Sequence, residues 1–141
     1  MSNQPTQISV TATINASVKK VWQDYNSPEA VMQWNNASPD WHTPKATNDF
    51  REGGEFCYTM AAKDGSFSFD FGGKYDKIVE NQLIEYTIGD GRKVVVMFSD
   101  NGNTTDVETV FDAENQNPVE MQQQGWQAIL NNFKAYVETT L

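Results

Sequence analysis

Over residues 8–14 apolar and polar side chains alternate: Ile8, Val10, Ala12 and Ile14 share one face, and Ser9, Thr11 and Thr13 share the other. A period of two with one apolar face predicts a first strand. The period then lengthens. Asn15 and Ser17 offer capping oxygens, and Val18, Val21, Trp22 and Tyr25 fall on one face of a helix. Ser27-Pro28-Glu29 reads as a second helix start, with Ser27 as the cap and Pro28 at the first helical position, where no N–H is needed. Ala30, Val31 and Trp34 supply its buried stripe. Residues 35–47 have no periodicity and carry two prolines among small polar residues, which predicts a loop. A loop of that length containing Trp41 is expected to act as a lid or as one wall of a binding site.

From residue 46 the pattern is that of strands. Residues 46–50 make a short one. Gly53-Gly54 then turns the chain into 55–61, where Phe56, Tyr58 and Met60 share a face. Asp64-Gly65 predicts a hairpin turn. Beyond it Phe67, Phe69, Phe71, Gly73 and Tyr75 point one way along a strand that reaches residue 79, and Gly72-Gly73 predicts a bulge or sharp bend within it. Strands at 83–88, 92–99 and 104–112 complete a mostly antiparallel meander of seven. Residues 118–141 predict a helix of about six turns, with Trp126, Ile129, Leu130, Phe133 and Val137 as its buried stripe. The stripe turns polar toward its start, at Gln122 and Gln123. Gly125 sits inside the helix at a cost of roughly 1 kcal/mol relative to alanine, so a strand backbone or a ligand is expected to approach closely there. No repeat, low-complexity tract or linker divides the chain. Residues 1–141 are expected to form one domain, with 1–6 flexible.

Charge narrows the partners. Ten Lys and Arg stand against 19 Asp and Glu, a formal net charge of −9, which opposes nucleic acid and anionic membrane surfaces. The longest apolar run, residues 94–98, is far shorter than the roughly 20 residues a membrane helix needs. The N-terminal residues lack the order of a signal peptide, and the expected location is cytoplasmic. Cys57, the single cysteine, excludes an internal disulfide and a thiolate metal cluster, and is expected to be a small buried hydrophobe.

Candidate chemistry is sparse. The glycine-rich segment Phe50-Arg51-Glu52-Gly53-Gly54-Glu55-Phe56 could suggest a phosphate cradle, but no helix start or lysine follows it. Its expected work is to turn the chain so that Phe56 and Tyr58 point inward. Arg51 is expected to hold Asp49, Glu52 or Glu55, a ligand carboxylate being the alternative partner. His42, beside Asp40 and Trp41, is the only histidine; it reads as a polar loop residue, with acid–base work open only if a substrate binds beside it. Ser66 and Ser68 have no evident base. No catalytic residue, metal site or cofactor is expected.

At residue level the chain resembles the family related to the C-terminal domain of the heat shock protein 90 ATPase activator, within the START-like superfamily. The matching pieces are the first strand, Val18-x-x-Val21-Trp22, Pro28-Glu29, Trp34, Asp49-Phe50-Arg51-x-Gly53-Gly54-x-Phe56, Gly73-x-Tyr75 and Gly125-Trp126 at the head of the last helix. The order of elements is the helix-grip pattern: an α+β fold with a curved antiparallel seven-stranded sheet around a long C-terminal helix and two short helices after the first strand. The eponymous co-chaperone stimulates its chaperone with a separate N-terminal domain that has no counterpart in these residues. Across the superfamily, members bind lipids, hormones, polyketides or other apolar molecules between sheet and helix. The resemblance therefore implies a site for a small apolar or amphipathic ligand, lined by Trp34, Trp41, Phe56, Tyr58, Phe67, Phe69, Phe71, Tyr75, Tyr86, Gln122 and Trp126. The same aromatic set could instead fill a solid core. A co-chaperone-like protein-interaction domain and a cyclase- or hydrolase-type enzyme are the alternatives, and pairing into a homodimer through sheet edges is open.

Overall fold

The structure, a computed structural model, describes residues 6–140. The strands are β1 (Gln7–Ile14), β2 (Trp41–Asn48), β3 (Glu55–Ala62), β4 (Ser68–Val79), β5 (Leu83–Ile88), β6 (Lys93–Asp100) and β7 (Thr105–Asp112). The helices are α1 (Val18–Asn26), α2 (Pro28–Trp34) and α3 (Val119–Thr139). All seven strands join in one antiparallel sheet of order β1-β7-β6-β5-β4-β3-β2. The fold is α+β and of the helix-grip type: the sheet curls, and α3 lies against its inner face.

Local chemistry explains the helices. The Ser17 hydroxyl accepts from Lys20 N–H and opens α1; the Ser27 hydroxyl accepts from Ala30 N–H and opens α2, with Pro28 at its first position. Ser27 also ends α1, so one residue makes the corner. The apolar faces of α1 and α2 meet the stripe of α3 in a ring cluster, in which the Trp34 and Tyr25 centroids lie 4.8 and 5.3 Å from that of Phe133. On the outer sheet face, hydroxyls bridge to carboxylates of the neighbouring strand: Thr59 to Asp70 at 2.8 Å, Thr13 to Asp106 at 2.7 Å, Ser9 to Glu108 at 2.9 Å and Thr87 to Asp76 at 2.6 Å. Such polar cross-strand pairs fit a solvated face and fix the register.

Four expectations change. Residues 41–48, read largely as loop, form β2, with the short strand expected at 46–50 absorbed into its end. Pro44 is tolerated because β2 is an edge strand and because Thr43 and Pro44 together face only Met60, between the pairs His42↔Ala61 and Lys45↔Thr59. That bulge turns Thr43 inward, where its hydroxyl donates to Asn35 O at 2.6 Å.

The bulge expected at Gly72-Gly73 lies instead at Asp76, between the pairs Tyr75↔Tyr86 and Lys77↔Glu85. Gly73 answers a different need. A Cβ there would sit 2.5 Å from Thr87 O and 3.0 Å from the Phe56 ring, which lies over it.

Third, nothing approaches Gly125: a Cβ added there would meet no atom within 4 Å. Gly125→Ala is therefore expected to raise stability by about 0.5–1 kcal/mol. Gly54 is the opposite case, since its Cβ would fall 2.0 Å from Asp49 O, and Gly54→Ala is expected to cost about 1–3 kcal/mol or more. Urea midpoints of the two variants, moving in opposite directions, check both. Fourth, Phe67 precedes β4 and is 60% exposed. Of the six residues expected to be flexible, 1–5 lie outside the described residues, and Thr6 O accepts a hydrogen bond from Ala113 N–H at 2.7 Å.

Candidate functional site

Where α3 crosses the inner face of the sheet, a hollow of about 210 Å³ remains. Alternation on the strands aims its walls. Phe56, Tyr58 and Met60 project from β3, Phe69, Phe71 and Tyr75 from β4, and Ile84 and Tyr86 from β5. Trp126, Ile129 and Leu130 close it from α3, one helical face at spacings of three and four. Trp126 is held flat against Phe111, with centroids 3.9 Å apart and planes 12° from parallel. The end of α1 contributes Tyr25 and Asn26, and the end of α2 with its C-cap contributes Trp34 and Asn35.

The glycine-rich loop between β2 and β3 positions one wall. Gly53 has φ +85°, a conformation that favours glycine. Its N–H donates to Tyr75 O at 2.8 Å, while Tyr75 N–H donates to Gly54 O at 2.9 Å. Phe50 packs its ring 5.2 Å from that of Tyr75 and 5.8 Å from that of Trp22. The loop thus clamps the backbone of Tyr75 beside the Asp76 bulge. Arg51, on the same loop, is exposed and pairs with Asp49 at 2.8 Å.

Of the eleven residues expected in the site, eight line this hollow: Trp34, Phe56, Tyr58, Phe69, Phe71, Tyr75, Tyr86 and Trp126. Trp41 and Phe67 stand outside it. Their rings lie 6.1 Å apart, and each is within about 6 Å of Phe69, which is 42% exposed and belongs to both groups. The three rings form a cluster at the rim. Gln122 is buried but turned away. Its amide nitrogen donates to Glu114 O and Asn117 O, and its oxygen accepts from Glu114 N–H at 2.9 Å, fastening the segment that leads into α3.

Sequence reasoning missed Tyr25, Asn26, Asn35 and Thr109 as wall residues. Thr109 carried a signal, being an inward polar residue between Val107 and Phe111 on β7. Asn35 carried none, because only the fold brings the end of α2 to this space.

Among the described residues, no Lys, Arg, His, Asp or Glu lines the walls. Their titratable groups are four tyrosines. Burial pushes the phenols of Tyr25, Tyr58 and Tyr86 well above the ordinary value, with mutual repulsion of the ionised forms adding to it, and burial raises Tyr75 as well. Around neutral pH all four are uncharged hydrogen-bond donors. The Asn48 amide donates to Asn26 O at 2.8 Å and reaches the Tyr75 hydroxyl at 3.4 Å, grouping polar atoms at one end of a largely aromatic space.

Other candidates stay apart. His42 is exposed on β2, and Cys57 is half-buried on β3. Ser66 and Ser68 are exposed. Among the described residues, no three His, Cys, Asp or Glu side chains gather as a metal set, and no helix is long and apolar enough to cross a membrane.

The family model described as Activator of Hsp90 ATPase homolog 1-like protein matches residues 15–138. The chain belongs to this Hsp90 ATPase activator homolog 1-like family. The solution structure of the AHSA1-like protein from Aeromonas hydrophila is 42% identical, with a TM-score of 0.90 over 96% of this chain and 94% of that one. A protein from Cytophaga hutchinsonii, also solved in solution, is 56% identical, with a TM-score of 0.82 over 95% and 93%. A crystal structure from Nitrosomonas europaea shares the fold at 14% identity, with a TM-score of 0.82 over 99% and 98%. Comparison with curated proteins returned no match. The motifs that suggested the Hsp90 ATPase activator homolog 1-like family are also those that shape the hollow: Gly53-Gly54 and Phe50 clamp Tyr75, Gly73 accommodates Phe56, and Trp126 forms the helical wall.

Proposed function

We propose that the chain binds a small apolar or amphipathic molecule in the hollow between the sheet and α3. One observation carries this reading. A space of about 210 Å³ survives among nine aromatic side chains, in an interior that close packing would otherwise fill. It is smaller than the roughly 300–1,000 Å³ common for drug-sized ligands, which favours a compact molecule of one or two fused rings over a long lipid. The rim cluster of Trp41, Phe67 and Phe69, joined to the hollow through Phe69, supports the reading as an aromatic approach to it.

A binder of the folded state stabilises it by mass action, by about 2.7 kcal/mol at a hundredfold excess over Kd. A thermal-shift screen of compact aromatic molecules on the whole chain is therefore expected to find ligands that raise Tm by on the order of 5–10 °C. Ile129→Trp, which places an indole in the hollow, is expected to abolish that shift while leaving a cooperative melt. A crystal structure with side chains collapsed into the hollow would overturn the reading. The exposed rim rings also favour a second role, contact with a protein partner. In that role, Phe67→Ser would weaken partner binding and leave small-molecule binding intact.

A further inference from the structure

The Asn35 side chain is a polar wall group buried without a use. It is 8% exposed, and its Nδ2 is buried with no hydrogen-bond partner. Its backbone is fixed from two sides: Asn35 N–H donates to Val31 O at 2.9 Å, and Asn35 O accepts from the Thr43 hydroxyl at 2.6 Å. The side chain is therefore held at the hollow by bonds that leave its amide unspent. A buried polar group left unpaired costs about 1–3 kcal/mol, and rotation about the last side-chain bond exchanges its oxygen and nitrogen positions. Among the described residues, no charged side chain lines the space to neutralise a carboxylate or an ammonium, and burying an unpaired charge is far more costly than burying a neutral polar group.

We infer that the hollow selects uncharged molecules bearing a carbonyl oxygen, with the Asn35 amide as the donor that receives it. The inference rests on the binding role proposed above and narrows its ligand class. It also gives Asn35 a function that neither its exposure nor its helix-end position requires: the amide is kept unpaired by the fold so that ligand binding satisfies it. A fatty acid or an amine of the same size is excluded by its charge rather than by its shape.

The test uses four probes built on one two-ring skeleton, titrated into the whole chain at neutral pH and followed by NMR: tetralin, α-tetralone, tetralin carboxylate and aminotetralin. α-Tetralone is expected to bind about 2–12-fold tighter than tetralin, the range one net neutral hydrogen bond supplies. The carboxylate and the ammonium are expected to bind at least about tenfold more weakly than tetralin. Asn35→Leu, which keeps the branched side-chain shape and the backbone bonds but has no donor, is expected to bring the ratio of α-tetralone to tetralin affinity to about 1. Tetralin binding with no ketone preference in the wild type would overturn the inference and leave the binding role standing. A ketone preference that survives in Asn35→Leu would overturn the assignment to Asn35, and a carboxylate that binds as well as the ketone would overturn the exclusion of charge. Failure of all four probes to bind would remove the binding role itself, and this inference with it.

Discussion

Raising the pH past about 10 is expected to unfold the chain cooperatively, with the phenolate absorbance of the hollow tyrosines rising as the tertiary signal is lost. The sign follows from where the protons sit. In the unfolded chain a tyrosine ionises near its ordinary value of 10.0, whereas in the fold Tyr25, Tyr58, Tyr75 and Tyr86 are all held above it, chiefly by burial. Above that pH the unfolded state binds fewer protons than the native state, so stability falls as pH rises. Each phenol kept protonated contributes a slope of about 1.4 kcal/mol per pH unit, and four together approach about 5 kcal/mol per unit. Below pH 10 this source leaves stability flat. Tyr86→Phe removes one titrating group, and it is expected to lower the slope by roughly a quarter. Phenolate that appears gradually, with the tertiary signal intact, would contradict the buried placement of these hydroxyls.

The other large effect belongs to Phe133→Ala. Phe133 is fully buried, and its ring is met by Trp34 at 4.8 Å and Tyr25 at 5.3 Å. It thus joins α3 to α1 and α2 just behind two walls of the hollow. Removing the ring is expected to cost about 3–5 kcal/mol, the transfer term plus the void left behind. That is a large share of the roughly 5–15 kcal/mol by which a domain is stable. A urea transition should show it as a lower midpoint. The same substitution frees Trp34 and Tyr25 to move, so the hollow is expected to enlarge and to admit bulkier probes than the wild type. Equal stability in Phe133→Ala would mean that this ring cluster does not join the three helices.

Much of this architecture was legible in the chain because periodicity reports burial directly. The alternation at Ile8–Ile14, the capped start at Ser27-Pro28 and the stripe from Trp126 to Val137 each correspond to an observed element. The failures have physical reasons. Pro44 lacks an N–H and normally signals a break, and that it lies at a bulge on an edge strand is a tertiary fact. Gly125 suggested a crowded contact because glycine in a helix usually has a reason, yet the space beside it is open. The inward face of β4 was readable, but where it leaves the shelter of α3 was not, so Phe67 and Phe69 are exposed rather than enclosed. Gln122 was correctly polar and buried in appearance, but what it holds is a chain segment eight residues before it. Asn35 could not have been found, since polarity at a helix end ordinarily means a cap.

The pairing of β1 with β7 has a kinetic consequence. Ser9 and Glu108, hydrogen-bonded across that pair, are 99 residues apart in the chain. The first strand made therefore has no partner until the last strand exists, and α3 can dock on it only later still. Contacts of such long range are entropically costly to close and slow to form. On the ribosome the inner aromatic rows of β3 and β4 would wait uncovered while the remaining chain emerges. That interval is the stage at which this molecule is most open to aggregation, and most in need of another protein's protection.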